Sequence, residues 1–272
     1  MSVDPDWTIM NSTKIPLRLL PAFSLIALIL TAQPARAEEI IVSAATSLTD
    51  AMTRIGRDFS KQNPGATVRF NFGATGALQR QIENGAPADV FAAAGAKEMD
   101  VLARAGRIEP ATRIDFTGNR LVLIVPLKSA IRKWDDLAGT GVRRVALSNP
   151  DSVPSGRNAR ETLERRHLWL AVQPKAVFGQ NVRQTLAYVA RGEVDAGIVF
   201  ASDAAIERGR LRVAQFAVPG LDHAPIVYPA AVVAGSRHAA LAKRFVAFLR
   251  SPVAQADLAS VGFTSLAPVR KK

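Results

Sequence analysis

The chain has 272 residues, 48% of them hydrophobic and 21% charged, which is enough apolar material for one large or two modest folded domains and too much for a disordered chain. It has no cysteine, which excludes disulfides, thiolate-bound zinc, iron–sulfur clusters and cysteine nucleophiles, and its three histidines (His167, His223, His238) are scattered, which argues against a histidine-rich metal site. Lys and Arg number 35 against 23 Asp and Glu, a net charge of +12, but the basic residues are spread along the chain apart from Arg270-Lys271-Lys272, so no nucleic-acid-binding stripe is read from them.

Residues 14–37 (KIPLRLLPAFSLIALILTAQPARA) have the plan of a secretory signal peptide: basic Lys14 and Arg18, an apolar run from Leu19 to Ala32, and Ala35-Arg36-Ala37 as the cleavage site. The run is too short to cross a ~30 Å hydrocarbon core comfortably. Asp4 and Asp6 suit such a leader badly, which leaves Met10 as an alternative start. With no cysteine after the apolar run, an anchor on cysteine is not available; the mature chain is expected to begin at Glu38, exported and soluble in a periplasm-like space.

From there the pattern is strand, short polar turn, helix. Glu39–Ala45 is an apolar run suited to a buried strand, and Leu48, Ala51, Met52, Ile55 and Phe59 follow at helical spacing up to Pro64-Gly65. Thr67–Phe72 alternates as a strand, and Gly73-Ala74-Thr75-Gly76 opens a helix carrying Leu78 and Ile82. Asp89–Ala94 predicts a strand, Lys97–Ala105 a helix stopped at Gly106, and Arg120–Val125 a central strand stopped at Pro126. The theme then restarts. Arg144–Leu147 is strand-like, Pro154-Ser155-Gly156 precedes a helix to Arg166, and Lys175–Phe178 is a short strand. Asn181 opens a helix with Val182, Leu186 and Val189; Asp195–Phe200, Leu211–Phe216 and Ile226–Ala234 are strands, and helices Ala239–Arg250 and Pro252–Ser260 close the chain. Strands alternating with helices predict parallel α/β sheets with helices on both faces, and two successive sets of units predict two lobes rather than a barrel.

In open parallel sheets, ligands bind beyond the carboxyl ends of strands, at helix N-termini. Four turns there carry small or hydroxylated residues: Thr46-Ser47, Ala74-Thr75-Gly76, Pro154-Ser155-Gly156 and Asn181-Val182. Each puts a hydroxyl or an unpaired N–H at the positive end of a helix dipole, and four such ends converging would cage a compact oxyanion. The alternative reading is structural: Ser47 with Asp50 is also an ordinary N-cap signature, and Thr75 and Ser155 suit caps equally well. Enzyme readings fare worse. No nucleophile elbow precedes His223 or His238, and Gly73-Ala74-Thr75-Gly76 lacks the lysine of a phosphate loop. Asp89 and Asp195, at strand starts, are expected to accept backbone N–H groups rather than to form an acid–base pair.

Six segments, Ala44–Ala51, Phe72–Leu78, Gly85–Phe91, Asn149–Gly156, Asn181–Arg183 and Gly197–Ala204, closely resemble the periplasmic molybdate-binding proteins, in order and through essentially the whole mature chain. The resemblance implies a type II periplasmic binding-protein fold, two α/β lobes joined by a hinge of two crossing strands. The expected division is a leader at residues 1–37, lobe I at 38–120 and 225–272, and lobe II at 121–224. It implies a monomer that captures molybdate, with tungstate, for an inner-membrane ABC permease, without a cofactor or nucleic acid. Sulfate or thiosulfate on the same fold is the alternative; an intracellular anion-sensing regulator would need a DNA-binding helix pair. Carried over by position, the oxyanion contacts are Ser47 and Thr75 from one lobe, and from the other the backbone around Ser155, the N–H of Val182, and position 200. Relatives have tyrosine at that last position. Phe200 has no hydroxyl, so the resemblance implies one hydrogen bond fewer, or a donor such as Ser148, Asn149 or Asn181 in its place. Arg183, one residue into its helix, is expected to help from behind the site.

Overall fold

The computed structural model describes residues 37–266. The leader read at residues 1–37 lies outside them but for Ala37. The chain starts with β1 (Glu38–Ala45), α1 (Thr49–Gln62), β2 (Ala66–Gly73), α2 (Thr75–Glu83), β3 (Val90–Ala92) and α3 (Ala96–Arg104). β1 lies parallel between β2 and β3. It is flanked by strands and covered by helices, which is why it reads as a near-continuous apolar run. β2 is an edge strand and alternates instead, with Val68, Phe70 and Phe72 half-buried on one face. In α1 the buried residues Ala51, Met52, Ile55 and Phe59 form the inward stripe that its spacing predicts. Gly106 takes the left-handed backbone (φ 63°) that ends α3 without strain, and Gly65 (φ 85°) takes it in the Asn63–Ala66 turn between α1 and β2.

β4 (Ile114–Asn119) then runs through Arg120 directly into β5 (Leu121–Pro126), and that one residue carries the chain from the first sheet to the second. The second sheet is built from β5, β6 (Val145–Ser148), α4 (Pro154–Arg165), the one-turn α5 (Trp169–Val172), β7 (Ala176–Gly179), α6 (Val182–Ala190), β8 (Ala196–Phe200), the short α7 (Ala201–Ala204) and β9 (Leu211–Phe216). Residues 217–225 lead back to the first sheet. There β10 (Ile226–Val232) inserts between β3 and β4, and α8 (Ala239–Phe248) and α9 (Pro252–Ser260) pack on that lobe. The strand orders are β2-β1-β3-β10-β4 and β7-β6-β8-β5-β9. This is the two-lobe type II arrangement, with two passages of chain between the lobes.

The sheets are mixed rather than parallel throughout, which corrects the sequence expectation. β10 is antiparallel to β3 and β4, and β5 is antiparallel to β8 and β9. The reason is the double crossing: chain that leaves one sheet and returns to it enters from the opposite end. β4 is the strand that the sequence did not declare, because its Thr-Gly-Asn end reads as a turn. Asp89 and Asp195 serve as strand-edge acceptors: Asp89 takes the Ile41 N–H at 2.7 Å, and Asp195 takes those of Arg143 and Arg144 at 2.7 and 2.8 Å.

Candidate binding site

The carboxyl ends of β1, β2, β3, β6, β7 and β8 all point into the cleft between the lobes, and the turns that follow them line one small cavity of about 10 Å³. Ser47, Thr75, Ser155, Val182 and Phe200, the five positions singled out in the sequence, all line it, each almost fully buried, together with Thr46, Ala74, Ala94 and Asn181. Among the described residues no ionised side chain lines the cavity. Among the described residues no group of three or more His, Asp or Glu is placed to hold a metal cation.

The hydroxyls divide into two kinds. Neither Ser47 nor Thr75 caps a helix: α1 and α2 have Leu48 and Ala74 at their N-caps, with no side-chain cap bond. Ser47 Oγ lies 3.0 Å from the Tyr228 hydroxyl, and Thr75 Oγ1 accepts the Ala94 N–H at 3.3 Å, which leaves the Thr75 proton free to donate. Ser155 is different. Its hydroxyl donates inward to Ser148 Oγ at 2.9 Å, Ser148 pairs with Thr185 at 2.9 Å, and Thr185 donates to the Asn181 carbonyl at 3.2 Å. What Ser155 offers the cavity is its backbone N–H, which at the second position of α4 has no helical carbonyl to reach. α4 lies so close to β6 that a Cβ at Gly156 would overlap the Ser148 carbonyl, so only glycine fits there. Val182, first residue of α6, likewise presents an unpaired N–H. Asn181 does cap: its Oδ1 accepts the N–H groups of Arg183 and Gln184, both at 3.0 Å. That leaves the Asn181 amide NH₂ as a donor at the cavity wall, whereas the Ser148 hydroxyl is committed.

Thr46 was not picked out as a contact in its own right. It lines the cavity, and its Oγ1 is buried without a hydrogen-bond partner. In the sequence it is a second hydroxyl beside Ser47, in a turn where one capping or contacting hydroxyl already explains the pattern.

The lobes are shut. The Gly76 N–H of α2 donates to the Ser152 carbonyl across the cleft at 3.0 Å. On one side Arg157 of α4 meets Glu98 of α3 at 2.7 Å. On the other, Arg183 of α6 reaches Asp50 of α1 at 2.6 Å while holding Asp203 at 2.7 Å in its own lobe. Complete burial pushes the Asp203 carboxyl up to about 6, against the pull of the Arg183 guanidinium.

Two α/β lobes that meet over a cavity at opposed helix starts define a binding protein of the two-lobe type. The chain belongs to the family of bacterial extracellular solute-binding proteins, whose model matches residues 40–264. It is similar to the molybdate-binding protein ModA of Escherichia coli, with 38% identity over 235 residues, 83% of this chain and 89% of that protein. The ModA of Haemophilus influenzae is 36% identical over 236 residues, 85% of this chain and 92% of that one. Among solved structures, the periplasmic molybdate-binding protein of Azotobacter vinelandii superimposes with a TM-score of 0.73 at 26% identity, covering 84% of this chain and 99% of that chain.

Proposed function

We propose that this protein captures molybdate, and tungstate with it, outside the inner membrane and delivers it to an ATP-driven importer. The observation that carries this reading is the cavity wall: hydroxyls and unpaired N–H groups from both lobes, with no charged side chain among them. A dianion fits such a wall because several oriented dipoles at helix starts answer its charge without an ion pair. Each charge-assisted hydrogen bond contributes on the order of 1.5–3 kcal/mol. The anion contacts in this reading are the Ser47 and Thr75 hydroxyls and the backbone N–H groups of Ser155 and Val182. Thr46 Oγ1, unpartnered at the same wall, supplies the hydroxyl that Phe200 lacks. In this reading lobe I comprises residues 38–120 and 225–272, of which 267–272 lie outside the described residues, and lobe II residues 121–224; the chain acts as an exported monomer.

Isothermal titration of the mature chain with molybdate, tungstate and sulfate tests the substrate. Binding of one molybdate or tungstate per chain, with sulfate far weaker, is the expected result, since the smaller anion reaches fewer of the donors at once. Sulfate binding as tight as molybdate would overturn the substrate and leave the fold untouched.

A further inference from the structure

A serine hydroxyl can turn either its proton or its lone pairs toward a cavity, and an oxyanion accepts only the first. At Ser47 the choice is made two hydrogen bonds away. Asn119 sits at the end of β4, at the crossing between the lobes, and its Oδ1 accepts the Arg120 N–H at 2.9 Å. That fixes the amide so that its NH₂ faces the other way, where it donates to Ser202 Oγ at 2.9 Å and to the Tyr228 hydroxyl at 3.2 Å. Tyr228 Oη is therefore an acceptor from Asn119. Its own single proton has one partner left within reach, Ser47 Oγ at 3.0 Å. Asn119, Ser202, Tyr228 and Ser47 are all buried.

We propose that Tyr228 is a positioning residue for the anion: by donating to Ser47 Oγ it occupies a lone pair there and turns the Ser47 proton into the cavity. The proposal rests on the reading of the cavity as an oxyanion site and deepens it by assigning the direction of its hydrogen bonds. Two features support it. The Tyr228 ring is clamped edge-on between Phe263 at 5.2 Å and Phe200 at 5.9 Å, so the hydroxyl has little freedom to find another partner. Burial, seconded by the Asp203 carboxylate, pushes the phenol well above its ordinary range, so it remains a donor across the pH range of the folded protein. Phe200 acquires a role of its own as one wall of that clamp.

The test is a double-mutant cycle read by titration with molybdate and by melting of the ligand-free protein, using Ser47→Ala, Tyr228→Phe and the pair. Tyr228→Phe is expected to weaken molybdate binding about fivefold on its own. It is expected to change nothing further in the Ser47→Ala background, because its effect passes through Ser47 alone. A hydroxyl that only stabilised the core would lower the melting temperature and leave affinity alone in both backgrounds. Asn119→Ala, one bond further from the anion, is expected to give a smaller loss that also vanishes with Ser47→Ala, and it serves if Tyr228→Phe fails to fold. A clear loss in Ser47→Ala with unchanged affinity in Tyr228→Phe or Asn119→Ala would overturn the relay alone, as would losses that multiply. Unchanged affinity in Ser47→Ala would overturn the site and the relay together.

Discussion

Gly76→Ala separates closure from folding. Gly76 is the second residue of α2, and a Cβ built on it would lie 2.7 Å from the Ser152 carbonyl oxygen and 3.2 Å from its Cα. Ser152 belongs to the other lobe and both atoms are backbone, so no side chain can swing aside. The lobes must part by several tenths of an ångström, and the Gly76 N–H to Ser152 bond of 3.0 Å is lost. Overpacking of this kind costs about 1–3 kcal/mol and the lost bond about 0.5–1.5. Closure is therefore disfavoured by roughly 2–4 kcal/mol, a rise in Kd of about 30- to 1000-fold. With the lobes apart nothing is overlapped, and alanine in a helix is favoured over glycine by up to ~1 kcal/mol. The ligand-free protein should accordingly melt at the same temperature or slightly higher while molybdate binding collapses, as titration and calorimetry on one preparation will show. Wild-type affinity would refute the claim that binding requires the shut cleft. A fall in ligand-free melting temperature would show that the two lobes stay shut without ligand.

Four further outcomes follow from the same geometry. Ser155→Ala should keep molybdate affinity within about twofold, since the N–H remains, while lowering stability by about 1 kcal/mol as the Ser148–Thr185 chain loses its first donor; the two readouts come from titration and denaturant unfolding. Thr46→Val should weaken binding about tenfold without destabilising the ligand-free protein, because the hydroxyl it removes satisfies nothing there. Asp50→Asn removes the half-exposed arm of the Arg183 bridge across the cleft; stopped-flow release of molybdate should quicken up to about fivefold with the association rate unchanged. Asp203 should titrate near 6 in infrared difference spectra, and higher still in Arg183→Ala, since the guanidinium is what holds it down. Its folded value lies above the unfolded one, so its contribution to stability is complete in acid and is lost as pH rises through about 6. Asp203→Asn should flatten that part of the stability profile.

The parts of the molecule that local sequence could declare are those where one residue's neighbours in the chain decide its fate. The α1 stripe, the buried β1, the edge alternation of β2 and the glycines after α1 and α3 are of this kind, and so are the polar turns that line the cavity. The sequence left open whether Ser47, Thr75 and Ser155 were caps or contacts, because a hydroxyl before a helix looks the same either way; the Ala94 N–H on Thr75 and the Tyr228 hydroxyl on Ser47 come from far along the chain. Distance in sequence also hid the bridge from Arg183 to Asp50 and the pairing of Asn119 with Tyr228. The antiparallel insertion of β10 was invisible for a different reason: alternation of strand and helix gives no sign that the chain visits a second sheet and returns. β4 was lost to its Thr-Gly-Asn end, where the residues that suit a turn instead serve the crossing between lobes.

Crystals grown with molybdate, with the metal located by its anomalous scattering, would show where the anion is held. The expected result is a single strong peak between the two lobes, its oxygens within hydrogen-bonding distance of Ser47 Oγ, Thr75 Oγ1 and the N–H groups of Ser155 and Val182. A peak elsewhere on the molecule, or oxygens held by the lysines and arginines of the surface, would contradict it.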